Sequence, residues 1–165
     1  MMLWENFDKN EISILLLMVI TFTIVRLLPK RLPPNIAYLS LLWGLASGMF
    51  LDFTIGGGQM DFYMVNDAHK YELFDFLYYV LFSPFSYFFV YFYETLGINK
   101  KTFIWYVIGW SFIAVGMNWL LIWLDIIQFQ KGFELPYSFA VFLIIQTTTG
   151  LYYEFIKSKK EVMLG

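Results

Sequence analysis

Residues 12–28 read ISILLLMVITFTIVRLL, and this stretch decides the fold class. Arg26 is its only charged residue, and apolar side chains fill most of the other positions. A helix needs about 20 predominantly apolar residues to cross the hydrocarbon core of a bilayer. Arg26, Lys30 and Arg31 stand where a signal peptide would have small residues for cleavage, so we predict a retained membrane-spanning helix.

Four further stretches of similar length and character follow along the chain. We predict spans at about residues 36–55, 73–96, 103–124 and 136–156, separated by segments that contain proline, glycine and asparagine. Of the 165 residues 59% are hydrophobic and 15% are charged, whereas about 25% are charged in ordinary soluble domains. The mean hydropathy is +0.61. The sequence therefore predicts an all-α polytopic membrane helix bundle, with five transmembrane helices in a single domain over residues 1–165.

The basic residues predict how the five spans are oriented. Most of them flank the first and third connections and the C-terminal tail: Arg26, Lys30, Arg31, Lys100, Lys101, Lys157, Lys159 and Lys160. Short cytoplasmic segments of membrane proteins are enriched in lysine and arginine. We therefore expect this side to face the cytoplasm, with the N-terminus outside, the C-terminus cytoplasmic and the chain in the plasma membrane.

Several classes of function lack their signatures in this sequence. The chain has no cysteine and one histidine, so thiolate sites and multi-histidine zinc sites are excluded. No nucleophile elbow, HExxH, P-loop or dinucleotide-binding fingerprint occurs. The basic clusters are short and are explained by topology and anionic lipid, so we expect no nucleic-acid partner.

Small residues in the second span predict its packing surface. Ser40, Gly44, Gly48 and Asp52 are spaced four apart and therefore lie on one helix face. In a membrane, close helix packing depends on such small residues, because lipid supplies no hydrophobic drive for association. We expect the stripe to pack against another helix and to carry Asp52 toward protein.

Pro84 lies near the middle of the third span. It removes a backbone donor and kinks a helix, so we expect Ser83, Ser86 or a water to satisfy the freed carbonyl. Aromatic residues are frequent at membrane interfaces. We expect interfacial or lipid-facing positions for Trp43, Tyr78, Tyr79, Trp105, Tyr106 and Trp123.

Acidic residues gather on the side predicted to be extracytoplasmic. The candidates for binding a cation or another ligand are Asp52, Asp61, Asp67, His69, Glu72, Asp75 and Asp125. Oxygen ligands at this density suit Ca²⁺ or Mg²⁺, and they also suit a cationic ligand. The alternative is that these acids are solvated loop and helix-cap residues, some of which favour a helix dipole. No established ligand-loop motif accompanies them, and no other cofactor is expected.

A second polar group is predicted near the cytoplasmic ends and inside the bundle. Its members are Arg26, Glu94, Glu154, Asn118 and Gln146. Because an unpaired charge in the membrane is costly, we expect Arg26 to pair with Glu94, Glu154 or both. The alternative is a proton or ion relay that runs through Asn118 and Gln146 toward the outer acids.

Residues 65–94 carry a resemblance to a known family. The short sequence motifs that carry the resemblance are Asn66-Asp67, Tyr71-Glu72-Leu73 with Asp75, Ser83-Pro84 with Tyr87, and Tyr91-Phe92-Tyr93-Glu94. This run, about the central fifth of the chain, resembles a family of small multi-pass membrane proteins from Gram-positive, often spore-forming, bacteria that has no established activity. The resemblance implies a bacterial plasma-membrane protein and adds no catalytic residues.

The sequence favours a non-enzymatic role over two alternatives. The expected function is that of an integral membrane binding or accessory subunit whose acidic face receives a cation, a cationic ligand or a basic partner. One alternative is a small transporter or an ion-coupled transport component, and the other is a metal-dependent intramembrane enzyme. The expected partners are the lipid bilayer and another membrane protein or further copies of the chain.

Overall fold

Five long helices account for most of the chain. The computed structural model describes residues 8–57, 60–65 and 73–164, with side chains up to residue 159. Its elements are α1 (Lys9–Leu27), α2 (Pro34–Thr54), β1 (Tyr63–Val65), α3 (Leu73–Thr95), α4 (Phe103–Trp123), β2 (Ile127–Phe129) and α5 (Leu135–Leu164). Each of the five helices is long and apolar enough to span a membrane. The prediction of five such helices is confirmed, and the chain is a multi-pass membrane protein that associates with a lipid bilayer.

Local sequence explains where the helices begin and end. Asp8 and Glu11 form a capping box at the start of α1, in which the Glu11 carboxylate accepts a hydrogen bond from the Asp8 backbone N–H at 3.0 Å. Pro34 occupies the first turn of α2, where its missing donor costs nothing. Gly97, at a φ of 61°, follows the end of α3.

Successive helices run in opposite directions, so the bundle has two distinct ends. The start of α1 meets the end of α4 through a 2.6 Å contact between Lys9 and Asp125. The end of α2 meets the start of α3 through Asp52 and Tyr79. We call this the strand end, because β1 and β2 lie here. The opposite end, where Glu94 of α3 meets Lys157 of α5, is called the tail end.

Helix α3 is the centre of the bundle, and α2 packs closely along it. A side-chain carbon added at Gly44 would lie 2.5 Å from the carbonyl oxygen of Phe82 and 2.7 Å from the Cα of Ser83. At Gly48 it would lie 2.9 Å from the Phe82 ring. Asp52 is only 4% exposed. The prediction that this small-residue stripe packs on another helix and carries Asp52 toward protein is therefore confirmed.

Two expectations about α3 and its neighbours are corrected. Tyr78 and Tyr79 are buried in the core rather than facing lipid, because α1, α2 and β2 cover the start of α3. Trp105 and Trp123 are exposed as expected. Pro84 is fully buried inside α3, but the Ser86 hydroxyl makes no hydrogen bond within the described part of the chain. Ser86 therefore does not satisfy the carbonyl that Pro84 frees.

Two groups of helices make up the bundle and are joined at both ends. Helices α1, α2 and α3 pack together, and α4 packs mainly on α5. At the tail end, Tyr106 of α4 donates to the Phe89 carbonyl of α3, and a carbon added at Gly150 of α5 would lie 3.6 Å from the Phe89 ring. The buried apolar side chains form two separate clusters, one toward each end of the bundle.

The strand end is closed by a short two-stranded sheet that the sequence analysis missed. Strands β1 and β2 pair antiparallel, with Tyr63 opposite Phe129 and Val65 opposite Ile127. The sheet links the segment between α2 and α3 to the segment between α4 and α5. It therefore holds the two helix groups together at this end.

Candidate functional site

An apolar groove lies between the two helix groups, and residues of the buried cluster at the strand end, such as Tyr78 and Leu81, line part of it. Its walls come from α2, α3, α4 and α5, and the paired strands cover its strand end. Its cavity volume is about 110 Å³, and one side of the groove is open. This volume exceeds the roughly 10–15 Å³ that one water molecule requires, so the groove admits a group larger than a water molecule.

The groove results from where large and small side chains lie along the helices. Gly44 lets α2 approach α3, so the α2 wall comes close to Phe82 rather than to α4. Trp110 and Tyr106 of α4 contact Phe89 and thereby fix the distance between α3 and α4 at the tail end. Farther along α4, the wall is formed by smaller residues such as Ala114. Helices α3 and α4 are thus held apart in the middle of the bundle and joined at its ends.

A minority of the residues that line the groove are polar. Besides Ser47, Thr149 and the tyrosines Tyr63 and Tyr78, they lie at two levels. Nearer the strand end, the Asn118 amide of α4 donates to the Ser138 hydroxyl of α5 at 2.8 Å. Closer to the middle of the helices lie Gln146 of α5 and Ser86 of α3. Ser86 is only 9% exposed, and its hydroxyl oxygen is without a hydrogen-bond partner across residues 8–57, 60–65 and 73–159. Such buried unpaired groups are few in native proteins and call for an explanation.

The lining of the groove carries no charge among the residues that the structure describes. Its wall consists of aromatic and aliphatic side chains, glycine, hydroxyl groups and the two amides. A charged molecule would lose its hydration in such a wall without a compensating partner. The groove therefore suits an uncharged, mainly apolar molecule with one or two hydrogen-bonding groups.

The outer acids that the structure describes do not meet at one point. Asp61 pairs with Lys131 at 2.9 Å, and Asp125 pairs with Lys9 at 2.6 Å. Both acids have positive φ angles, 56° and 62°, so they occupy turns rather than helix faces. Each of these acids is thus neutralised by its own lysine at the strand end.

Asp52 and Asp75 form a separate, buried carboxyl pair beside the groove. The Tyr79 hydroxyl donates to Asp52 at 2.6 Å, and Asp75 lies close enough to interact with Asp52 electrostatically. Tyr63 of β1 lies next to them, and its burial raises the pKa of its hydroxyl above the ordinary value for tyrosine, with a further increase from Asp52. Tyr63 is therefore a neutral phenol that lines the strand end of the groove.

Three of the predicted outer candidates, Asp67, His69 and Glu72, lie outside the described residues. Over residues 8–57, 60–65 and 73–164 there is no group of three or more histidine, cysteine, aspartate or glutamate side chains placed to hold a metal ion. The proposal of a Ca²⁺ or Mg²⁺ site at the acidic face stays a prediction.

The inner polar group is arranged differently from the prediction. Glu94 pairs with Lys157 of α5 at 2.7 Å, whereas Arg26 is exposed and belongs to none of the ion pairs of the described residues. The expected pairing with Arg26 is wrong, because α1 packs on α3 and turns Arg26 outward. Glu154 is exposed as well. The predicted polar residues Asn118 and Gln146 both line the groove.

Sequence reasoning missed the groove itself and the unpaired hydroxyl of Ser86. The buried stripe of α2 and the polar residues Asn118 and Gln146 were visible in the sequence. Nothing in a helical periodicity, however, indicates that α3 and α4 stand apart in the middle of the bundle. Ser86 appeared only as a partner for a backbone carbonyl beside Pro84.

We compared the chain with protein-family models, with curated proteins and with solved structures, and no match was found in any of the three comparisons. The resemblance of residues 65–94 to small membrane proteins of Gram-positive bacteria therefore stays a prediction. The proposal about function is therefore based on the geometry of the groove and of the ion pairs.

Proposed function

We propose that the chain is a non-enzymatic binding or accessory subunit of a membrane, and that the groove between its two helix groups binds a lipophilic molecule. The observation that carries the proposal is the groove itself, a concave and mainly apolar surface with a few polar groups within the helical part of the bundle. A molecule dissolved in the bilayer reaches such a site laterally, without crossing the aqueous phase.

The alternatives find less support in the same geometry. Transport of an ion requires polar groups along a path, whereas the groove wall is mainly aromatic and aliphatic. A metal-dependent enzyme requires a cluster of ligands, and Asp61 and Asp125 each have a lysine partner instead. The acidic strand end remains a suitable surface for a cation or a basic partner protein, as a second feature of the same subunit.

Filling the groove is expected to abolish binding. Ala114 lines the groove from α4, so Ala114→Phe places a ring inside it. The probe is dodecanol with a photoreactive diazirine at the end remote from its hydroxyl, in phosphatidylcholine vesicles that contain the purified protein. We expect labelling of groove residues that unlabelled dodecanol suppresses in the wild type, and we expect the variant to lose most of this saturable labelling.

Gly116→Phe is the matched control for this experiment. Gly116 lies on the same helix, is exposed, and has open space where a side chain would begin. The added ring then points into lipid and leaves the groove unchanged. Equal saturable labelling in the wild type and Ala114→Phe, or equal losses in both variants, would contradict the proposed binding site.

We also propose that the tail end faces the cytoplasm of a bacterial cell and that the membrane is the plasma membrane. The support is the excess of lysine and arginine around residues 26–31, 100–101 and 157–160. The N-terminus is then outside, and the acid-rich strand end is extracytoplasmic.

The absence of native cysteine allows a direct test of this orientation. Glu134 at the strand end and Lys100 at the tail end are both exposed, so each is replaced singly by cysteine. A membrane-impermeant maleimide applied to intact cells is expected to label Glu134→Cys. Lys100→Cys is expected to react only after the membrane is permeabilised. The reverse pattern would overturn the proposed orientation.

A further inference from the structure

The uncharged wall of the groove contains an unsatisfied hydrogen-bonding group, the hydroxyl of Ser86. Ser86 is 9% exposed, and its hydroxyl oxygen is completely buried without a partner in the described part of the chain. A serine in a helix usually donates to the carbonyl four residues earlier, as Ser40 and Ser111 do here at 2.8 Å. Ser86 lines the groove and differs from these two buried serines, because its hydroxyl has no hydrogen bond to lose when the side chain rotates toward a molecule in the groove.

The surroundings of Ser86 restrict what that molecule is. Gln146 lines the same cavity and offers both a donor and an acceptor. The described lining of the groove contains no charged side chain, so an ionised head group would have no partner at this depth. A hydroxyl or carbonyl group meets both conditions, since either one bonds to a serine hydroxyl without carrying a charge.

The rest of the groove suits an apolar tail that runs from Ser86 toward the strand end. Leu81 and Tyr78 continue the α3 wall in that direction, and Ile127 and Phe129 of β2 close it. Ser86 and Tyr78 are eight residues apart, which is roughly 12 Å along a helix that rises about 1.5 Å per residue. An extended chain of medium length fits this distance.

Resting on the proposed function, we infer that the ligand is an uncharged single-chain lipid whose hydroxyl or carbonyl head bonds to Ser86 and whose tail points to the strand end. Ser86 is then a specificity-determining residue of the groove. Fatty alcohols and lipids with a neutral carbonyl head share this chemistry. Fatty acids in their ionised form and plain alkanes lack it.

The test compares three unlabelled competitors against the photoreactive dodecanol in vesicles: dodecanol, dodecane and ionised dodecanoic acid. We expect dodecanol to compete about fivefold more strongly than dodecane, as one added hydrogen bond implies. We expect the ionised acid to compete more weakly than dodecanol. The photolabel, placed at the tail, is expected on the peptides that contain Tyr63 and Phe129.

Ser86→Ala supplies the decisive variant. It is expected to reduce competition by dodecanol about fivefold and to leave competition by dodecane unchanged, because only the alcohol bonds to the hydroxyl. The variant is also expected to remain as stable as the wild type, since it removes a hydroxyl that has no partner in the described chain. Ser40→Ala is the matched control, because it makes the same change at another buried serine, which lies outside the groove lining.

The outcomes separate the two proposals. If labelling is saturable, three results would overturn the inference about Ser86 and leave the groove as a binding site. They are equal competition by dodecanol and dodecane, stronger competition by the ionised acid than by dodecanol, and an equal loss of dodecanol competition in Ser86→Ala and Ser40→Ala. Labelling at the tail end of the groove would overturn the inferred direction of the ligand. The absence of any saturable labelling would overturn the proposed function itself.

Discussion

Replacing Gly44 with valine is expected to lower the free energy of unfolding by about 3 kcal/mol, the upper part of the usual range for overpacking. The first added carbon would lie 2.5 Å from the Phe82 carbonyl oxygen and 2.7 Å from the Ser83 Cα. Both are backbone atoms, so no side-chain rotation relieves the contact. Helix α2 must move away from α3, which separates the closest pair of helices in the bundle.

The measurement is unfolding of the purified protein in mixed detergent micelles, followed by helical circular dichroism. Gly109→Val is the control, because Gly109 is exposed on α4 and has nothing within 4 Å of the position of an added carbon. It carries the same change in helix propensity and in side-chain volume. If both variants unfold at the same denaturant concentration, then close packing at Gly44 does not stabilise the bundle.

The sequence predicted the part of the fold that depends on local patterns. The length of the apolar stretches determines where helices span, and the observed bounds fall close to the predicted ones, although α5 continues to Leu164 beyond the predicted residue 156. The four-residue spacing of Ser40, Gly44, Gly48 and Asp52 determines a common face. Their burial then follows, because small residues allow the closest helix contact.

The groove was not predictable in the same way, because it depends on distances between helices that are far apart in sequence. Its tail end is set by Phe89 against Tyr106 and Trp110. Its strand end is set by three-residue strands, which are too short to leave an alternating pattern. The unpaired hydroxyl of Ser86 was not predictable either, because it depends on how α3 packs against the other helices.

The partners of the charged residues were not predictable from the sequence for one physical reason. The sequence placed Arg26, Glu94 and Glu154 at one end of the bundle, but it did not determine which helices are neighbours there. Helix α5, not α1, lies beside Glu94, so Lys157 is its partner. Likewise, the sequence placed Asp61 and Asp125 on one acidic face as binding candidates, but it did not indicate that Lys131 and Lys9 lie near enough to pair with them.

Replacing Tyr79 with phenylalanine is expected to lower the free energy of unfolding by about 2 kcal/mol, a typical value for a hydrogen bond to a charged or strongly polar buried group. The Tyr79 hydroxyl donates to Asp52 at 2.6 Å, and both residues are 4% exposed. The variant leaves the Asp52 carboxyl buried next to Asp75 without this donor. Removing one partner costs more than the net value of the bond, because the other remains desolvated.

A double-mutant cycle with Asp52→Ala separates this bond from general packing effects. If the hydroxyl acts through Asp52, Tyr79→Phe costs much less in the Asp52→Ala background, and the coupling energy is about 1–3 kcal/mol. Tyr38→Phe makes the same chemical change at an exposed position of α2 and is expected to have no effect. Additive losses in the cycle would show that Asp52 is not the partner through which Tyr79 stabilises the strand end. The hydrogen bond between Tyr79 and Asp52 connects α3 to α2 beside Tyr63, which lines the strand end of the groove. We therefore expect Tyr79→Phe to weaken saturable dodecanol labelling at the strand end of the groove as well. Tyr38→Phe is expected to leave that labelling unchanged.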